Sequence, residues 1–129
     1  MKNRSFLTVL ILAILFLIVF YSYSYFTGIS KIKAKEYEKQ ALYLNNIKEY
    51  TLALEVSEKC LEIDQENFDC WIHRAMAQYQ LDKCIQAAAS LYHSILMNNI
   101  SNSDKEFAIK SFDAVVKSEK CKSDEMASK

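Results

Sequence analysis

The sequence predicts an all-α protein, with one N-terminal transmembrane helix followed by a small helical domain. Its 129 residues include one glycine and no proline, whereas strands need such residues in the turns between them. The length suits one domain rather than two. Between residues 54 and 95, apolar residues recur at helical spacing: Leu54, Leu61, Ile63, Ile85, Leu91 and Ile95.

Charge composition argues against nucleic acid as a partner. The formal net charge is zero, with 16 basic and 16 acidic residues. Because Lys2 and Arg4 precede the apolar segment, the remainder has 14 basic residues against 16 acidic ones. A protein that binds nucleic acid needs a basic excess to neutralise phosphates, and this chain lacks one.

Residues 6–26 form one long apolar segment. From Phe6 to Phe20 the only polar side chain is that of Thr8, and tyrosines are frequent up to Phe26. As a helix these 21 residues are about 31 Å long, which matches a hydrocarbon core of roughly 30 Å. Tyrosine suits a membrane–water interface. We therefore expect residues 1–28 to comprise a short tail and an anchor that crosses the lipid bilayer.

A cleaved signal peptide is the alternative interpretation of this segment. The start is basic, and Ser22-Tyr23-Ser24 loosely fits the small-x-small cleavage pattern, although the apolar run is long for a signal peptide. For an anchor, the charge bias is nearly balanced between Lys2 and Arg4 before it and three lysines after it. The short tail favours a cytoplasmic N-terminus and a periplasmic body.

The body contains two blocks of equal length, residues 34–67 and 68–101, that align in one register. We call the length of one block the repeat period. Each block reads as two helices, at about 35–46 and 47–63 in the first and about 68–81 and 82–97 in the second. Small residues at matching positions would let the two helices of a block approach closely. The matched pairs are Tyr37 with Trp71, Ala41 with Ala75, Ala53 with Ala87 and Cys60 with Ser94.

This pattern resembles a tetratricopeptide repeat (TPR) protein, and residues 49–67 are close to that family's second helix and exit turn. Gln65 and Asn99 depart from the family's usual proline. The resemblance implies a domain over residues 29–121 with two repeats and a capping helix at about 104–121, for which Ser103 or Asp104 can be the N-cap. Residues 122–129 would be a flexible tail. A generic antiparallel helical bundle would share the apolar periodicity but not the register of alanines.

Four cysteines allow three pairings. The repeat resemblance implies Cys60 with Cys70, across the turn between two repeats, and Cys84 with Cys121, at the neighbouring ends of two helices. Such disulfides imply an oxidising compartment. The alternatives are four incidental thiols, or a zinc site that includes Cys70 and His73, which are one helical turn apart. We expect disulfides and no metal.

The sequence contains no motif of an enzyme or of a cofactor site, because one glycine cannot build a phosphate-binding loop and no nucleophile elbow is present. We therefore expect a non-enzymatic protein without a cofactor or a small-molecule substrate. His93 has no obvious acidic or thiol partner and reads as a half-exposed surface residue.

The resemblance implies a groove that binds other proteins, lined by the first helix of each repeat. It would suit an amphipathic helix or an extended apolar segment, since no cationic clamp is present. Some of its residues could instead pack against the capping helix. The groove residues are Leu42, Asn45, Asn46, Ile72, His73, Met76, Tyr79 and Gln80.

Three functions fit this organisation. The first is an inner-membrane scaffold, an accessory subunit whose periplasmic domain docks a larger envelope complex. The second resembles the receptors on mitochondrial surfaces, where an anchored cytosolic repeat captures amphipathic targeting helices. The third is a secreted binder released by cleavage near Ser24.

Overall fold

The computed structural model describes the backbone of residues 2–122 and the side chains of residues 6–122. Every regular element in this range is helical, which confirms the all-α part of the prediction. The helices are α1 (Lys2–Asn46), α2 (Tyr50–Ile63), α3 (Phe68–Gln80), α4 (Cys84–Ile95) and α5 (Asn102–Lys117). A further helical turn covers residues 119–122, and the rest of the predicted tail lies outside the described residues.

The chain divides into two compact units between Ile32 and Lys33. In the first unit the large apolar side chains of α1 are exposed along its whole length; Phe16, for example, is 71% exposed. The mean hydropathy of its most apolar stretch is 2.6, which makes α1 the one described helix that is long and apolar enough to cross a membrane. A signal sequence would meet the same criterion.

The second unit is a stack of antiparallel helices. Helix α2 packs against α3, α3 against α4, and α4 against α5. One core cluster joins Ala34 of α1 to Cys60 and Leu61 of α2. A second joins α3, α4 and α5 through Ile72, Ala75, Leu91 and Ala108. The largest fully buried side chains are cysteines and serines, so this core depends on close helix approach rather than on bulky residues.

The same turn occurs twice in this unit, at positions one repeat period apart. Lys48 and Asp82 both have a positive φ, of 65° and 61°. The residue after each of them closes the turn, since Glu49 N–H donates to Leu44 O and Lys83 N–H to Gln78 O, each at 2.9 Å. Consequently α2 begins at Tyr50 and α4 at Cys84, which corrects the predicted starts near residues 47 and 82.

Helix caps follow the same spacing. Asn67 caps α3 by accepting a hydrogen bond from Cys70 N, and Ser101 caps α5 by accepting one from Asp104 N. Ser101 is therefore the N-cap, which corrects the prediction of Ser103 or Asp104. Ser103 and Asp104 instead lie in the first turn of α5, where the negative charge of Asp104 favours the helix start.

Candidate functional site

The structure brings only part of the predicted groove to the surface. Leu42, Asn46, Met76 and Gln80 are exposed, and Tyr79 is half-buried. Asn45, Ile72 and His73 are buried, with 6%, 6% and 8% of their surface exposed. These three residues therefore pack the helices together, which corrects the expectation that they line an accessible surface.

Asn45 and His73 form the joint between α1 and α3. The Asn45 side-chain amide donates to the backbone carbonyl of His73 at 3.1 Å. Burial lowers the pKa of His73, while Asp69 and Glu38 act to raise it and Lys35 to lower it. A buried imidazole with a lowered pKa stays neutral near pH 7, so this joint carries no charge of its own.

Ile72 belongs to the core between α3 and α5. It packs with Ala75, Leu91 and Ala108, and the partly buried Phe112 and Val115 of α5 complete the cluster. The resemblance placed Ile72 in the groove because it did not show that α5 would cover this residue. The alternative that groove residues pack against the capping helix holds at this position.

The groove residues that are exposed recur at equivalent positions of α1 and α3. Leu42 and Met76 occupy equivalent positions, one repeat period apart, and are 45% and 46% exposed. One helical turn later, the exposed amides Asn46 and Gln80 also occupy equivalent positions. Each of the two helices therefore presents a half-exposed apolar side chain followed by a neutral amide.

Phe107 adds a third apolar side chain that the groove prediction missed. It is 53% exposed and lies on α5. Together with Met76, Tyr79 and Ser111 it lines an apolar cleft of about 100 Å³ between α3 and α5. Its sequence signal was its place in the apolar stripe of the capping helix, but only the packing of α5 beside α3 brings it next to Met76. We call Leu42, Asn46, Met76, Gln80 and Phe107 the front face.

Tyr79 is held in place at one end of this cleft. Its hydroxyl donates to Ser118 Oγ at 3.2 Å, and Lys120 Nζ lies 4.9 Å from the centre of its ring. Lys120 also donates to the Tyr79 backbone carbonyl at 2.9 Å and pairs with Asp82 at 2.8 Å. The segment after α5 therefore fixes the tyrosine, while Met76 retains the flexibility of a thioether side chain.

Two disulfides stabilise the body, and they join the predicted partners. Cys60 is bonded to Cys70, with 6.3 Å between their Cα atoms, and Cys84 to Cys121, with 5.5 Å. Cys121 lies after the end of α5 at Lys117, not at the end of the helix as predicted. The second disulfide therefore ties the segment 118–122 to the start of α4.

His93 has a partner that the sequence did not reveal. Its ring stacks on Trp71 with 4.0 Å between ring centres, and the Arg74 guanidinium lies 5.4 Å from the Trp71 ring. The Trp71 indole N–H donates to Gln65 O at 2.9 Å. These contacts anchor α3 to α4 and to the preceding turn. The exposed His93 ring therefore has a packing role on Trp71.

Comparison of the chain with family models, with curated proteins and with solved structures gives no match. We therefore infer the function from the geometry of the described residues.

Proposed function

We propose that this chain is a membrane-anchored TPR-like interaction module that binds another protein on its front face. The observation that carries the proposal is the nearly equal exposure of Leu42 and Met76 at equivalent positions of the two repeats, with Phe107 beside Met76. Apolar side chains held at a regular spacing on alternate helices, here α1, α3 and α5, suit the apolar side of a partner helix or an extended apolar segment.

The repeated backbone supports the TPR-like part of the proposal. The turns at Lys48 and Asp82 are one repeat period apart, and so are the caps at Asn67 and Ser101. This period is that of the TPR family, and it comes from the backbone independently of the alanine register in the sequence.

The proposed location is a single pass through the inner membrane, with a cytoplasmic N-terminus, a periplasmic body and a role as accessory subunit of an envelope complex. Two disulfides support an oxidising compartment for the body. The first unit, whose apolar side chains are exposed, supports a lipid environment for residues 6–26.

Site-specific crosslinking tests the front face. A photoreactive amino acid replaces Met76 in the full chain, and a matched variant carries it at Leu52 of α2, which is 48% exposed against 46% for Met76. We expect the Met76 position to capture one membrane-associated protein and the Leu52 position to capture none. Capture of the same protein from both positions, or only from Leu52, would contradict the proposal.

Substitution of two front-face residues then measures the contribution of the face. Leu42→Glu with Met76→Glu places two charges at the centre of the proposed contact and should weaken binding of the captured protein by at least about 30-fold. Leu52→Glu is the control, since it adds a charge at similar exposure on another helix. Equal affinity of all three proteins would show that binding occurs elsewhere.

Thiol accessibility tests the location. Protein extracted from membranes should react with a thiol-blocking reagent at its four cysteines only after reduction, because all four are in disulfides. Four reactive thiols before reduction would place the body in a reducing compartment, and the mitochondrial-receptor-like function would then replace the envelope scaffold. A mature chain that begins after Ser24 would instead support the secreted binder.

A further inference from the structure

Helices α4 and α5 carry large apolar side chains that point away from the core. Ile85 and Tyr92 of α4 and its C-cap Leu96 are 78%, 55% and 59% exposed, and Ile109 and Val116 of α5 are 45% and 51% exposed. Their spacings of four and seven positions place them on one side of each helix. None of them belongs to the front face.

These side chains form one continuous surface. The rings of Tyr92 and Phe112 are 6.3 Å apart, which connects the two helices at their middle. Ile85 and Val116 line a common cavity of about 170 Å³ that joins them near the second disulfide. We call the surface made by the exposed Ile85, Tyr92, Leu96, Ile109 and Val116, together with the partly buried Phe112 between them, the end face.

The helix order explains why the end face is open. Helices α1 and α2, and then α3 and α4, form consecutive pairs joined by the same kind of short turn. Helix α5 begins one repeat period after α3 and so takes the place of the first helix of another pair. After α5 the described residues contain only the helical turn 119–122, which borders this surface at Cys121 and leaves Ile85 and Val116 exposed.

The charge pattern around the end face suits contact with an identical surface. None of its six residues is charged. Two of the neighbouring lysines on α5 are neutralised within the helix, since Lys110 pairs with Glu106 at 2.7 Å and Lys117 with Asp113 at 3.2 Å. Two such surfaces therefore meet without net like-charge repulsion, whereas a strongly charged partner would find no complement.

The size of the end face also fits self-association. Its exposed side chains leave on the order of 600 Å² in water, at the top of the usual range for the largest apolar patch on a monomer, and a standard interface buries roughly 800 Å² per partner. In a dimer, the polar edges of α4 and α5 would supply the remaining area. An apolar area of this size is costly to leave in water.

We propose that two copies of this chain dimerise through their end faces, so that the α4–α5 pairs of the two copies form a four-helix contact. The contact is isologous, with the same residues on both sides. Because the front face lies on other residues, the dimer presents two front faces, and this inference does not depend on what they bind.

The molecular mass of the full chain in detergent tests the dimer. We expect a dimer for the natural chain, and a rise of at least about 30-fold in the dimer dissociation constant for Ile85→Glu with Val116→Glu. Both positions are well exposed, so folding should be retained, which non-reducing mass analysis of the disulfides checks. Tyr43→Glu with Leu52→Glu is the control, at exposures of 63% and 48%, and should remain dimeric.

A natural chain that is monomeric, or a double variant that dimerises like the natural chain, would overturn the proposal; the second result would place the contact elsewhere, for example between the apolar segments. A photoreactive residue at Tyr92 should crosslink two copies. Capture only of lipid, of the chain's own C-terminal residues or of a different protein at that position would also overturn it.

Discussion

The two units of the chain use apolar residues in opposite ways. In the first unit, large side chains such as Leu12 and Phe16 are 66% and 71% exposed, and the unit itself offers nothing to cover them. In the second unit the fully buried residues are small, for example Ala41, Ala53 and Ala87, each with 0% exposed. Hydrophobicity is therefore highest where burial within the chain is lowest.

This difference shows where each unit obtains its stability. The first unit satisfies its backbone polar groups within the helix but leaves its apolar side chains uncovered, and in the proposed membrane location lipid would cover them. The second unit depends on close helix packing, and because its fully buried residues are small the disulfides contribute a large share. Substitutions that act on only one of these sources should affect only one unit.

The largest effect is expected in the apolar segment. Leu15→Arg with Leu17→Arg places two charges near its middle, and each should raise the cost of membrane insertion by about 2.5–3.5 kcal/mol. Alkaline extraction of membranes should then release the variant and retain the natural chain. Leu15→Ile with Leu17→Ile is the control and should stay in the membrane. Release of the natural chain by the same treatment would contradict membrane insertion.

The second largest effect concerns the two disulfides, which close loops of different length. The Cys84–Cys121 bond spans a sequence separation of 37, against 10 for Cys60–Cys70. Loop entropy predicts that replacing both cysteines of a pair by alanine lowers the free energy of unfolding by roughly 4 kcal/mol for Cys84 with Cys121 and by roughly 3 kcal/mol for Cys60 with Cys70.

Urea unfolding of the body, followed by the fluorescence of Trp71, measures this order, because Trp71 is the only tryptophan. A larger loss for the shorter loop would mean that packing of the buried Cys60 and Cys70, rather than chain entropy, dominates. Replacing Cys60 and Cys70 by serine should lower the free energy of unfolding more than replacing them by alanine, since a hydroxyl group would be buried at each position.

Much of this fold could be predicted from the sequence, because the signals are local or periodic. The absence of proline and the apolar spacing indicate helices, and the alanine register places Ala53 and Ala87 at buried positions. The disulfide partners followed from the resemblance, because the helix order brings the cysteines together.

The turn positions could not be predicted in the same way. Lys48 and Asp82 adopt a positive φ although neither is a glycine, so the usual sequence signal is missing. At the start of α5 the residues from Ser101 to Asp104 are all favourable N-caps, and propensity alone does not choose among them.

The exposed part of the groove could not be predicted fully, for a different reason. Accessibility depends on which neighbour covers each residue, and this is a property of the packed helices. Helix α5 buries Ile72 and adds Phe107, while the contact of α1 with α3 buries Asn45 and His73. No spacing within α1 or α3 contains that information.

A smaller effect is expected from filling the close contact between helices. Ala87 is 0% exposed, so Ala87→Leu should force the helices apart and lower the free energy of unfolding by about 1–3 kcal/mol. Ala89→Leu, on the exposed side of the same helix, should change it by less than about 0.5 kcal/mol. Similar losses for both variants would contradict the role of Ala87 as a contact residue.

The smallest effect is a pH dependence that comes from His73. Because burial lowers its folded-state pKa, the unfolded chain takes up a proton at a higher pH than the folded chain does. Stability is therefore fully present above the unfolded pKa of about 6.5 and decreases as the pH falls from there toward the folded pKa, by at most about 1.4 kcal/mol per pH unit. Urea midpoints measured between about pH 7.5 and pH 5 should show this slope in the natural chain. In His73→Gln, which cannot titrate, the slope should be smaller, and an unchanged slope would assign the dependence to other groups.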